Sequence, residues 1–410
     1  MPLRTLSLAT LSLACGCALT TAGAAPDATP DVVAQEDAVD ATPDVAHACR
    51  WGLGAPFSLG GLSAFDAAAL VPMGDRLWVL TRSGASTAAG RALVYHLTIT
   101  DHAGRALTRP EEVASFPAGG ADPWFVSGAA VGSSGRLGVL FTRNAGCSFV
   151  EVGEGGRATM PQRSLEPLRC VGLQPHNAGW RYLTYEQRSP QGMAALRTID
   201  RGGVPSPAVA VADDTAAELE LSVMFVGDRI AAVRASPDGT VAPGLRLYDG
   251  DGGARTPWRD LPFAAGLPRV GVALRSHGAG LLANAISLNV DGGVIVNAAL
   301  TTDGAEMARL GDFRFAPPTT LWGYTAVRGA AVVATIGVTV AEAIRQGQGT
   351  PVALHVLDAV TLREQGMFAI AADVLNLPRA VPVGDDVLLV DRWLAQERPL
   401  RAAWLRCEAP

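Results

Sequence analysis

The sequence predicts an all-β chain folded as a single β-propeller of seven four-stranded blades. Three observations predict it. A strand–glycine turn–strand unit recurs seven times, a second turn signal falls between the copies, and the last unit is one strand short.

The first signal is an apolar run, a tight turn with glycine and a second apolar run. Its copies centre on glycines 74, 135, 179, 227, 278, 329 and 384, at steps of 44 to 61 residues. Met73-Gly74-Asp75-Arg76-Leu77-Trp78-Val79-Leu80 and Val226-Gly227-Asp228-Arg229-Ile230-Ala231-Ala232-Val233 show the pattern. The second signal appears as Asp101-His102-Ala103-Gly104, Glu154-Gly155-Gly156, Asp200-Arg201-Gly202-Gly203, Asp249-Gly250-Asp251-Gly252-Gly253 and Asp303-Gly304. Two hairpin turns in a unit of about 50 residues imply four strands, a, b, c and d, which is the composition of a blade. After Gly384 there is room for strand b (Asp386–Leu394) and strand c (Leu400–Cys407), and then the chain ends. The segment from Cys49 to Leu59 has no other assignment and is expected to supply the missing outer strand, closing the ring.

The blade pattern resembles that of exported bacterial β-propeller proteins, without the signature of a specific family. Nearly half the residues (49%) are apolar and 18% are charged, so a large core is available. All 33 basic residues are arginine, a bias that codon usage in a GC-rich genome explains without appeal to function. The formal net charge is −6, and residues 27–46 alone hold six acids and no arginine. The remaining body is nearly neutral, which argues against non-specific nucleic-acid binding.

Residues 1–24 read as a leader: Arg4, an apolar run from Leu6 to Leu19, then small residues. Two processing routes stay open. Ala22-Gly23-Ala24 fits a small-x-small cleavage site and would release a secreted protein, whereas Cys15 or Cys17, each after a small residue, offers a lipid anchor in the envelope. Residues 25–46 form an acidic linker in which Asp27-Ala28-Thr29-Pro30-Asp31-Val32 recurs as Asp40-Ala41-Thr42-Pro43-Asp44-Val45. Repelling acids and spaced prolines disfavour a packed structure there. Residues 47–410 are the propeller.

Strands a and c run from the top face to the bottom, and b and d return. That topology sets the disulfides expected of an exported chain. Cys407 and Cys49 fall at the bottom of blade seven and pair; Cys147 and Cys170 fall at the top, beside the junction of blades two and three.

No catalytic or metal site is readable. Ser236-Pro237-Asp238-Gly239 resembles a tetrapeptide of periplasmic propellers that assist translocation, but it occurs once and reads as a hairpin turn. Asp249-Gly250-Asp251 offers too few oxygens for calcium. The histidines are scattered, the tryptophans suit packing between blades, and no cofactor fingerprint is present.

One pattern points to binding. Seven to nine residues after five of the glycines, where strand b reaches the top rim, stand Arg82, Arg143, Arg188, Arg234 and Arg392. Blades five and six break the series with Ile286 and Gly337. Five guanidiniums around one mouth suit carboxylate or phosphate groups. The plainer alternative is that strand ends need a solvated residue and arginine is the only strong base used. The expectation is a monomeric, non-enzymatic binding or scaffold propeller for an anionic small molecule, glycan or protein segment. It touches a membrane only through a lipid anchor. A hydrolase or lyase acting on a glycan at the channel mouth is the alternative.

Overall fold

Strands b and c of a propeller blade are covered on both faces by neighbouring blades, so they carry unbroken apolar runs; outer strands alternate. A computed structural model follows this pattern. The seven residues of Gly146–Val152 are all buried, whereas Glu306–Phe315 has no fully buried residue and exposes five of its ten. The structure describes residues 50–408 apart from 64–65, 88–89, 119–123, 133, 145, 178, 189–190, 213–218, 269, 290–291, 316–319, 328–329, 337–351, 371–378, 385 and 391–398.

The chain opens with β1 (Arg50–Leu53) and β2 (Phe57–Ser63). Blade one is β3 (Asp66–Met73), β4 (Arg76–Thr87), β5 (Gly90–Asp101) and β6 (Glu111–Pro117). Blade two is β7 (Phe125–Val131), β8 (Leu137–Arg143), β9 (Gly146–Val152) and β10 (Ala158–Glu166). Blade three is β11 (Arg169–His176), β12 (Gly179–Arg188), β13 (Gln191–Ile199) and β14 (Val209–Ala212). Blade four is β15 (Glu220–Val226), β16 (Arg229–Ala235), β17 (Gly244–Tyr248) and β18 (Arg259–Asp260). Blade five is β19 (Val270–His277), β20 (Gly280–Asn289), β21 (Gly292–Leu300) and β22 (Glu306–Phe315). Blade six is β23 (Thr320–Val327), β24 (Ala330–Ile336), β25 (Val352–Asp358) and β26 (Glu364–Ile370). Blade seven contributes β27 (Arg379–Val383), β28 (Asp386–Val390) and β29 (Pro399–Glu408).

The N-terminal segment closes the ring as the sequence predicts. β1 pairs with β29 antiparallel, Trp51 opposite Cys407, and β2 adds a second contact to the same strand. Cys407 is disulfide-bonded; its predicted partner Cys49 lies outside the described residues, as do Cys15 and Cys17. The a–b turn of blade three departs from the sequence reading. Asn177 takes the left-handed conformation there, and Gly179 is the first residue of β12.

The c–d turns form one structural family. In blades one to five the first residue (Asp101, Gly153, Asp200, Asp249 or Thr301) donates its N–H to the fifth residue's carbonyl. The fourth residue, always glycine at φ between 78° and 91°, donates back to the first. A hydroxyl downstream completes three of them: Thr108, Ser206 and Thr256 accept from the strand-c amides of Ile99, Thr198 and Leu247. Blade six has the sixth copy, which the sequence pattern missed. It is one residue longer, and Leu362 takes the left-handed position at φ 57°.

These turns also join the blades. The carbonyl of the turn's second residue accepts from the preceding blade at four junctions. Trp404 donates to His102, Arg181 to Gly250, Arg229 to Thr302, and Arg275 and Asn297 to Ala359. Between these polar staples lie apolar layers, such as Trp78, Tyr95, Phe116 and Phe141 between blades one and two.

Candidate functional site

The a–b and c–d turns define the bottom face, and the b–c and d–a connections the top. Strand b of blade two ends at the top in Arg143, whose guanidinium lies 4.9 Å from the ring centre of Trp124. In blade four Arg234, one residue from the end of β16, lies 4.6 Å from the ring of Trp258. Both need glycine opposite them at the start of strand c. A Cβ on Gly146 would stand 2.8 Å from Arg143 Nε, and one on Gly244 2.7 Å from Arg234 Nε. The glycine lets the guanidinium lie flat across the strand and onto the ring.

A third arginine, absent from the predicted series, joins them. Arg169 begins β11 and stacks 5.5 Å from the ring of Phe125, the residue after Trp124. Consecutive aromatics thus carry arginines from two different blades. The two arginines are also tied through the backbone. The amide of Cys170 donates to Thr142 Oγ1 at 2.9 Å, and Cys147–Cys170 is a disulfide with Cα atoms 5.7 Å apart. That bridge lies at the top of blades two and three, where the strand directions predict it. Arg169 faces Tyr185 across the β11–β12 ladder. Burial, helped by the Glu220 carboxylate and opposed by Arg169, pushes the Tyr185 phenol above its usual value.

The remaining predicted arginines are placed differently. Arg82 is half-buried, opposite Asp66, in a β4–β5 hairpin that continues five residues past it to Thr87, so it stands in mid-ladder below the hairpin tip. Arg188 ends β12, but its side chain lies outside the described residues, as does all of Arg392 and of Gly337. Ile286 is buried. Sequence reasoning missed Trp124, Phe125, Arg169, Tyr185 and Trp258. The adjacent aromatics Trp124-Phe125 just before a strand a were the available signal. The expectation that tryptophans serve packing holds for Trp51, Trp78, Trp180 and Trp404, all buried, and for Trp124 and Trp258, which pack against the core while also carrying an arginine.

On the bottom face Arg105 meets Asp101 and Arg136 meets Glu151 at 2.8 Å, and Arg406 meets Asp386 at 3.4 Å, whereas Arg181 and Arg229 donate to backbone carbonyls of the next blade. Among the described residues Arg143, Arg169 and Arg234 form no ion pair, and the buried Arg169 Nε has no hydrogen-bond partner.

Two other constellations merit comparison with this rim. In blade six Glu364 Oε2 accepts from His355 Nδ1 at 2.7 Å, which leaves Nε2 to accept the Thr335 hydroxyl at 3.0 Å. Blade one repeats the hydroxyl–histidine contact at the same ladder offset, Ser83 Oγ lying 3.3 Å from His96 Nε2, but its carboxylate Glu112 stands directly opposite the histidine, whereas Glu364 stands opposite Leu357. In both blades the hydroxyl–histidine pair stitches strand b to strand c. On the bottom face, Phe57, His102, Ala103, Trp404 and Arg406 line a pocket of about 480 Å³ at the ring closure. Ser236-Pro237-Asp238-Gly239 is the b–c turn of blade four, with Asp238 Oδ1 accepting from the Thr240 amide at 3.0 Å. Those bonds, led by that from Ser236, pull the Asp238 carboxyl down to about 2.

No family model matches the chain, and no curated protein matches it. Solved structures match at low identity. The β-propeller domain of Cps50 (Swd1) from Myceliophteria thermophila is 12% identical, with TM-score 0.51, over 84% of this chain and 98% of that one. BamB from Moraxella catarrhalis is 11% identical, with TM-score 0.40, over 86% and 97%. A prolyl endopeptidase is 11% identical, with TM-score 0.48, over 80% and 46%, so this chain spans less than half of that protein. These likenesses concern the fold: the chain is a seven-bladed β-propeller.

Proposed function

We propose that this protein is a non-enzymatic binding propeller of the cell envelope that holds an anionic ligand on its top face. The observation that carries the reading is that three top-face arginines, Arg143, Arg169 and Arg234, rest on aromatic rings and, among the described residues, pair with no carboxylate. A ring holds the guanidinium plane without consuming its edge N–H groups, which then donate in a fork to an incoming carboxylate or phosphate. On a nearly neutral body such a cluster focuses a local positive potential. The test is calorimetric titration with polygalacturonate and with neutral pullulan at two salt concentrations. Binding of the acidic polymer that weakens with salt, and falls about tenfold or more when Arg143, Arg169 and Arg234 become glutamine, supports the reading. Equal affinity in the triple variant overturns it.

Export fits the same picture, because the Cys147–Cys170 bridge is at home in an oxidising compartment. Globomycin treatment should leave a heavier precursor if Cys15 or Cys17 is lipidated, and a mature chain starting at Ala25 would leave secretion alone. The alternative, a glycan-acting hydrolase or lyase at the channel mouth, requires release of shorter oligosaccharides from an acidic glycan.

A further inference from the structure

Resting on that reading, we infer that the ligand is an extended acidic glycan laid along an arc of the top face. The arc crosses three successive blade junctions and offers one ring-seated arginine at each.

The contacts set the order. Trp124 stacks on Phe116 of blade one, 4.3 Å between ring centres, so Arg143 upon it marks the junction of blades one and two. Phe125 belongs to blade two and Arg169 to blade three, so their contact marks the next junction. Trp258 packs against the apolar cluster that Leu196 and Val211 of blade three share with Ile230 of blade four, so Arg234 marks the third. The first and third have one construction: an arginine near the top of strand b, a glycine opposite it at the start of strand c, and a tryptophan packed towards the preceding blade. The series is bounded on both sides. In blade one Arg82 stands in mid-ladder opposite Asp66, and in blade five the corresponding place holds the buried Ile286.

Each subsite is a single guanidinium, which takes one carboxylate. A small anion therefore fills one of them, whereas a chain with repeated carboxylates fills all three, each later contact forming intramolecularly. The Cys147–Cys170 disulfide and the Thr142–Cys170 hydrogen bond cross-link the middle junction, which lowers the ordering cost of binding there. The strands run between bottom and top, so the arc crosses their ends and offers no strand edge on which a peptide's amides could pair. A glycan makes no such demand. Its carboxylates reach the guanidiniums while the half-buried rings of Trp124, Phe125 and Trp258 offer apolar surface to its C–H groups.

The experiment titrates the intact protein with galacturonic acid, a ladder of its oligomers and poly-L-glutamate of matched charge. The longest oligomer should bind one to a protein and at least about a hundredfold more tightly than the monomer. Arg143→Gln and Arg234→Gln, at opposite ends of the arc, should each weaken that oligomer about tenfold. Lysine at either place should restore only part of the loss, since an ammonium lacks the planar fork. Arg105→Gln removes the same charge from the bottom face and should leave affinity within about twofold. Unchanged circular dichroism and melting temperature establish that each variant is folded. Affinity that does not rise with length, a loss confined to one end of the arc, or an equal loss with Arg105→Gln overturns this inference and leaves the anionic-ligand reading in place. So does poly-L-glutamate binding as tightly as the oligomer. Binding of none of the probes overturns both.

Discussion

The indole N–H of Trp404 donates to the backbone carbonyl of His102 at 3.0 Å, joining residues 302 apart in sequence. It joins blade seven to the c–d turn of blade one and makes the same kind of junction that arginines make elsewhere in the ring. The Gly104 carbonyl of that turn accepts in addition from the Gly60 amide of β2.

Trp404→Phe keeps the packing and removes the donor, so it should lower unfolding free energy by about 1 kcal/mol. Gly104→Ala should cost more, about 2 kcal/mol. Its φ is +81°, and a Cβ would stand 2.4 Å from the Ser58 carbonyl oxygen. Urea unfolding of both variants checks the order, and an equal or reversed ranking would contradict the role given to the turn.

Arg181 should be the most costly bottom-face arginine to lose. It is 7% exposed and donates to Gln174, Gly250 O and Asp228 O, with its guanidinium 5.1 Å from the ring of Phe225. Burial lowers its pKa, opposed by Asp228. Arg181→Met leaves these acceptors without a donor at the junction of blades three and four, a loss of about 3 kcal/mol. By comparison Arg105→Ala, on the surface pair with Asp101, should leave stability nearly unchanged.

Two disulfides should appear in non-reducing peptide maps, Cys147 with Cys170 and Cys49 with Cys407. Replacing Cys147 and Cys170 together by alanine should destabilise by about 3 kcal/mol in the chain-entropy treatment of a 23-residue separation. A peptide joining Cys49 to Cys147 or Cys170 would contradict the strand directions.

Acid should weaken the fold in two stages. Burial holds His96 below its unfolded value of 6.5, against the raising effect of Glu112. With the folded value depressed, its contribution is present above about pH 6.5 and is lost as pH falls through the folded value, because the unfolded chain takes up the proton first. Glu151 follows at lower pH. Burial alone would raise its carboxyl, but donors from Trp180, Arg136 and Thr159 outweigh it and hold the group below 4.5. Its contribution is present above about pH 4.5 and lost below. Melting temperatures from pH 7 to pH 3 should show both steps, with His96→Gln flattening the first and Glu151→Gln the second.

The blade count, the two turn families and the closure of the ring by the N-terminal strand were legible from residue order. All three depend on local chemistry: apolar runs that form strands, and glycine where a turn needs a left-handed residue. Legibility failed where another residue took glycine's place, as at Leu362 in the sixth c–d turn and Asn177 in blade three. The top-face series was legible as a list of strand ends, which finds Arg143 and Arg234. It included Arg82, which lies in mid-ladder because the β4–β5 hairpin is longer than the average blade allows. Arg169 and Phe125 come from different blades, and only tertiary structure brings them together. A strand's direction and face follow from a two-residue period within one segment, whereas a site at a blade junction depends on how separate segments pack. Sequence alone determined a seven-bladed ring with basic strand ends. Tertiary structure decided that Arg143 and Arg234 meet aromatic rings of their own blades, and packing of blade two against blade three added Arg169 on Phe125, because ring contacts depend on how separate strands pack.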